Sequence, residues 1–256
     1  GAGVTHLKVG DRAAYASRPP GAYCDVRVMP AATVCKLPDN ISFETGAAMM
    51  LKGLTAQYLL KRTLPQEGLK AGDHILFHAA AGGVGLIACQ WAKALGLQLI
   101  GTAGSDEKCA LAKANGAAHV INYNKEDFEA RVKDITHGKG VKVVYDSVGQ
   151  DSFEASLASL SPRGYFVSFG ATSGLPPPVS APTLQKLGSL YFTRPTLTTY
   201  TASDADLQHS AAAVFDLFKR SVLKVSIQQR YRWSEVARAH AELQSGQTTG
   251  SSVLLP

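Results

Sequence analysis

No run of 18 apolar residues occurs in the 256-residue chain, so no stretch of it is long enough to cross a bilayer as a helix. The charged, apolar and small-residue succession of a secretory signal is missing from its start. Cysteine is scarce: Cys24, Cys35, Cys89 and Cys109 form no CxxC pair and no cluster with histidine. That excludes the usual zinc spacings and fits reduced thiols, so a cytoplasmic setting is expected. Charged residues reach only 18% and, although the formal balance is +6, no basic run is present. Such a balance suits an anionic small molecule better than nucleic acid. Internal repeats and low-complexity segments are also absent.

What is present is a large apolar fraction, 45%, enough for a sizeable core, and a change of rhythm along the chain. The opening Gly1-Ala2-Gly3 has no initiator methionine and leads straight into a turn and strand, so an N-terminal portion is expected to precede it. From Val4 to about Lys36, short apolar patches at Arg12 to Tyr15, Ala22 to Met29 and Thr33 to Lys36 alternate with turns and predict β structure. Ser42 then caps a predicted helix with Ala47, Ala48, Leu51, Leu54 and Tyr58 as its buried stripe.

From Gly72 strands and helices alternate strictly, which predicts a parallel sheet. Strands are expected at Ile75 to Phe77, Gln98 to Thr102, His119 to Asn122, Val141 to Tyr145 and Gly164 to Phe169, with helices between them, the last from Ser152 to Leu160. A sixth strand is expected at Ser189 to Thr193. The tail predicts helices at Asp204 to Arg220 and Ser234 to Gln244 and a strand at Ser252 to Leu255, returning to the first β-rich segment. The expected fold is therefore α/β, a doubly wound parallel sheet inserted into a β-rich domain, with boundaries at 1–52, 53–192 and 193–256.

After the first of these strands comes Ala80-x-Gly82-x-x-Gly85, the dinucleotide fingerprint with alanine in place of its first glycine. Gly82 lets backbone approach a phosphate and Gly85 lets helix and strand close, so the helix N-terminus that follows suits a pyrophosphate. Asp106 stands about 20 residues past Gly85, where the fingerprint places an acid on the ribose 2′-hydroxyl of NAD. It follows Gly104-Ser105, however, so Ser105 caps the next helix and Asp106 and Glu107 suit its dipole. Lys108 in that first turn opposes the dipole unless an anion lies near, and a 2′-phosphate would supply one. Tyr123, beyond the third strand, is a candidate for the same phosphate or a surface aromatic. His74, His78 and His119 read as packed or hydrogen-bonded, and His137 as a helix C-terminal cation.

The runs Ala79 to Gly85, Met50 to Ala56, Asp146 to Gly149, Ser168 to Gly170 and Gly188 to Pro195 resemble NADPH:quinone oxidoreductases of the zeta-crystallin type, in the zinc-free branch of the medium-chain dehydrogenase/reductase superfamily. The likeness runs from Gly1 to Pro256. It implies a Rossmann domain inside a split GroES-like domain, NADPH as cofactor, and a homodimer pairing edge strands near Leu190. It further implies Gly83 and Val84 on the pyrophosphate, Gly104, Ser105, Lys108 and Tyr123 at the 2′-phosphate, and Ser147 near the adenosine half. Phe169, Gly170, Ala171, Thr172, Ser173 and Gly174 would border the nicotinamide half, with Thr55 and Tyr58 across the cleft and Thr196 and Thr198 close by. Where some members carry an arginine that reaches the cofactor, this chain has Ser245-Gly246-Gln247.

The chemistry so implied is reduction of a quinone by hydride or electron transfer, a step that needs no metal, and no general acid is assigned. Reduction of an enal or enone double bond is the related alternative. A crystallin-like structural role or RNA binding is the alternative of another class.

Overall fold

The first apolar patches of the chain are too short to build more than one small ladder. In the computed structural model, which describes residues 1–16, 20–64 and 68–256, β1 (Ala13–Ala14) pairs antiparallel with β2 (Cys35–Lys36). The strand expected at Ala22 to Met29 is absent. That segment is irregular, and Val26 and Val28 are 86% and 97% exposed, so its alternating side chains have no sheet to face. Helix α1 (Phe43–Arg62) starts where the Ser42 hydroxyl accepts the Thr45 N–H at 3.1 Å. Its burial departs from a single stripe: Ala47 and Leu51 are exposed, whereas every residue from Gly53 to Leu60 is buried.

Two compact units emerge, one of Gly1–Tyr58 with Leu197–Pro256 and one of Leu59–Thr196. The second opens with β3 (His74–Phe77) and α2 (Gly83–Ala94), followed by β4 (Gln98–Ala103) and α3 (Asp106–Ala114). Next come β5 (His119–Asn122), α4 (Phe128–Ile135), β6 (Val141–Asp146) and α5 (Phe153–Ala158). It closes with β7 (Leu160–Ser168), α6 (Ala181–Lys186) and β8 (Tyr191–Thr193). The six strands form one all-parallel sheet in the order β5-β4-β3-β6-β7-β8.

Both faces of this sheet are covered. Leu76, Ile100, Ile121, Val144 and Phe166 pack with Val132, Phe153 and Leu157 of α4 and α5. Their strand neighbours Ile75, Phe77, Leu99, Val143 and Tyr145 point to the opposite face and are equally buried. Strand β7 starts at Leu160 rather than near Gly164, because Leu160 pairs with Val141 and the ladder then shifts register. The helix expected to reach Leu160 accordingly stops at Ala158.

The chain returns to the first unit through α7 (Leu197–Tyr200) and α8 (Asp204–Lys219), then β9 (Ile227–Arg232), α9 (Val236–Gln244) and β10 (Ser251–Leu255). Strand β9, unforeseen in the sequence, pairs parallel with β10. Gly53 admits α8 closely: a Cβ there would lie 2.8 Å from Val214 Cγ1.

Candidate functional site

The turn after β3 is built almost wholly by backbone. His78 N–H bonds Tyr145 O at 3.1 Å, Ala80 N–H bonds Thr102 O at 3.0 Å, and Gly82 N–H bonds Ala79 O at 2.9 Å. These three bonds bring the chain round so that Gly82 caps α2 in extended conformation with no side chain on the first-turn amides. With no acid there either, Gly83, Val84 and Gly85 offer N–H groups and the positive end of the dipole to an anion. The turn also requires glycine at two of its positions. A Cβ on Gly85 would lie 2.6 Å from the carbonyl oxygens of Ala79 and Ala80, and one on Gly82 would lie 3.2 Å from Ala79 O. Side chains at either place would push the helix off the strand or the backbone out of the crevice.

At the end of β4, Ser105 caps α3 by accepting the Lys108 N–H at 3.2 Å. Asp106 takes bonds from Asn122 at 2.7 Å and from Lys125, and the Lys125 ammonium holds its carboxyl below the usual range. Glu107 is also held low, first by its own backbone N–H and then by the Ser105 hydroxyl. Asp106 thus ties the helix end to the neighbouring strand, and Glu107 serves the helix end. Lys108 lies half-buried in the same turn, and Tyr123 stands 51% exposed with its hydroxyl 2.7 Å from where a Cβ on Gly104 would be. Gly104, Ser105, Lys108 and Tyr123 therefore share one corner.

A second group forms past β6 and β7. Phe169 N–H and Gly170 N–H reach Asp146 O at 2.8 and 3.3 Å, Thr172 N–H reaches Ser147 O at 3.1 Å, and Ser173 N–H reaches Val148 O at 2.9 Å. A Cβ on Gly170 would lie 2.6 Å from Ser147 O, and one on Gly149 would lie 2.1 Å from Gly174 O. Ser147 and the segment from Phe169 to Gly174 are therefore one interlocked double loop. Arg194 braces it, with Nη1 at 3.1 Å from Ser168 O, 3.0 Å from Ser168 Oγ and 2.6 Å from Gly170 O. Thr196, exposed, follows two residues later.

Thr55, Tyr58 and Thr198 belong to the first unit. The Thr55 hydroxyl donates to Leu51 O of its own helix at 2.7 Å, Tyr58 stacks on Tyr200 with ring centres 4.8 Å apart, and Thr198 is exposed on α7. His119 is exposed rather than packed, because it starts the edge strand β5. His78 is buried between the Thr102 and Ser156 hydroxyls. Burial pushes the Cys35 thiol up to about 11 and the Cys89 thiol up to about 12, which leaves both protonated and poor nucleophiles at neutral pH. Sequence reading missed Arg194 and Gly101 as site-builders; a glycine inside a strand was the available signal for the latter.

A parallel sheet whose order reverses between β3 and β6, with a glycine turn leading out of β3, defines the doubly wound nucleotide-binding class of protein. Residues 83–235 match the family model described as zinc-binding dehydrogenase. The chain is 52% identical over 256 residues to a quinone oxidoreductase of Pseudomonas aeruginosa and 42% identical over 259 residues to a 2-haloacrylate reductase of a Burkholderia species. It covers itself fully in both cases, and 78% and 77% of those proteins. Among solved structures, the Escherichia coli quinone oxidoreductase complexed with NADPH superposes with a TM-score of 0.96 at 49% identity, covering 100% of this chain and 78% of that one. The chain belongs to the quinone oxidoreductase family of the medium-chain dehydrogenase/reductase superfamily.

The zinc in the family model's description finds no matching donor set: among the described residues no three His, Cys, Asp or Glu side chains are grouped to hold a metal ion. A cavity of about 920 Å³ opens at the opposite, N-terminal ends of the strands, lined by Asp73, Lys139, Lys142 and Arg163 among others. Lys142 is paired there with Asp73 at 2.8 Å, and the carbonyl end of α4 at Thr136 and His137 also faces it, so it lacks the amide-rich character of the crevice.

Proposed function

We propose that this chain is an NADPH-dependent reductase of quinones. The observation that carries the reading is the corner past β4. The acid at the fingerprint's ribose position, Asp106, is engaged by Asn122 and Lys125, while Gly104, Ser105, Lys108 and Tyr123 gather around the same strand end. A 2′-phosphate suits that corner better than a bare 2′-hydroxyl. About 50% identity to proteins named quinone oxidoreductase, one of them solved with NADPH, supports cofactor and reaction together.

In this reading Gly82, Gly83, Val84 and Gly85 receive the pyrophosphate on backbone amides, and Ser147 lies beside the adenosine half. Phe169 to Gly174 border the nicotinamide half with Thr196. The bound cofactor supplies a hydride to the quinone, whose reduction to the hydroquinone takes up a proton from solvent. The protein orients donor against acceptor and limits water around them.

The 2-haloacrylate reductase at 42% identity favours a second reading, reduction of an activated double bond in the same site. A homodimer is also part of the proposal: β8 is the last strand of the sheet, and Tyr191 on it is 51% exposed, so a second copy can continue the ladder there. Among the described residues no helix is long and apolar enough to cross a membrane. All four cysteines are free thiols, which supports a cytoplasmic setting.

Fluorescence titration with NADPH and NADH, followed by turnover with quinones beside 2-haloacrylate, tests the reading. Tighter binding of NADPH and faster turnover of quinones are expected; equal affinity for both cofactors would overturn the corner assignment.

A further inference from the structure

Asp146, at the end of β6 and fully buried, gathers four donors. Its Oδ1 accepts the N–H groups of Val148 and Gly149 at 2.7 and 2.9 Å, and its Oδ2 accepts the hydroxyls of Ser152 and Ser156 at 2.6 and 3.3 Å. Those bonds fill a carboxylate's acceptor capacity. Ser156 has a single proton, and with that proton on Asp146 its oxygen must accept from His78 Nε2, 2.8 Å away. His78 is 2% exposed, and burial keeps the imidazole neutral despite the Asp146 carboxylate at 3.9 Å. With its proton on Nε2, its Nδ1 accepts the Thr102 hydroxyl at 2.9 Å.

The donors therefore all run one way, from Thr102 on β4 through His78 after β3 and Ser156 on α5 to Asp146 on β6. The last link shapes the loop that matters. Val148 and Gly149 are fixed by Asp146, and the same turn holds Phe169, Gly170, Thr172 and Ser173 through backbone bonds.

We propose that His78 and Asp146 are positioning residues of the reductase: the directed chain from Thr102 to Asp146 fixes the double loop that borders the nicotinamide half. This rests on the cofactor reading above. It adds that two buried titratable side chains, neither touching the reacting atoms, set the geometry of transfer while contributing little to cofactor affinity.

Ser156→Ala cuts the chain between His78 and Asp146 without changing a residue of either loop, and Thr102→Val removes its first link. In the holoenzyme, each variant is expected to lower kcat with a quinone about five- to tenfold while the KM for NADPH moves by less than about twofold. In ¹⁵N spectra of the wild type, His78 is expected as the Nε2–H tautomer. Loss of Tm with kcat unchanged in whichever variant folds would overturn the proposal, and so would a wild-type His78 protonated on Nδ1. A wild type that binds no NADPH would instead strike the cofactor reading, and the tautomer would still decide the direction of the chain.

Discussion

Ala80 and Gly101 share one space: a Cβ at position 101 would lie 2.6 Å from the Ala80 methyl. The fingerprint's first position tolerates alanine here because the adjoining strand β4 gives up its own side chain opposite it. Gly101→Ala is expected to cost about 1–3 kcal/mol through overpacking, and the double change Ala80→Gly with Gly101→Ala to recover most of the loss. Urea unfolding of the two single variants and the pair checks this; additive losses would sink it.

Lys108→Ala addresses the corner past β4. Loss of a charge-assisted contact to the 2′-phosphate is expected to weaken NADPH about tenfold or more and to leave NADH nearly unchanged. The fluorescence titrations read both, and parallel weakening would mean that Lys108 acts on the fold rather than on the phosphate.

Acid should weaken the second unit through His78. Burial pushes its pKa down, while in the unfolded chain it titrates near its ordinary value of about 6.5. Below that pH the unfolded state takes up a proton the native imidazole refuses, so stability is fully present above it and falls as pH falls, by at most about 1.4 kcal/mol per pH unit from this residue. Denaturant titrations between pH 8 and 5 should show a shallower decline for His78→Gln than for the wild type. His119, also shifted down by partial desolvation and by the nearby cations although it is exposed, contributes to both curves alike.

Arg194 carries a different load. Its Nη1 alone reaches Ser168 O, Ser168 Oγ and Gly170 O, and the planar guanidinium fixes the direction of that nitrogen where a flexible lysine stem would not. Arg194→Ala is expected to reduce quinone turnover about tenfold, with Arg194→Lys intermediate. Steady-state kinetics at saturating NADPH would show it, and unchanged kcat in both variants would refute a bracing role.

The alternation from Ile75 to Ser168 was legible because each strand is an apolar run closed by a glycine or a polar turn, a local signal. Strand β9 was not: of Ile227 to Arg232 only Tyr231 is buried, and its pairing depends on β10 some two dozen residues away. Ala22 to Met29 misled for the opposite reason, an alternating pattern with no sheet to receive it. At the site, the glycine turn and the Ser105 cap could be read from spacing. The His78 to Ser156 bond spans 78 residues and the Arg194 to Ser168 bonds span 26, so only the folded chain reveals them.

The double loop past β6 and β7 is tied mainly through amide and carbonyl groups of Asp146 to Val148 and Phe169 to Ser173. Evolution can therefore rewrite Ala171 and the exposed Thr172 without dismantling the scaffold that carries them.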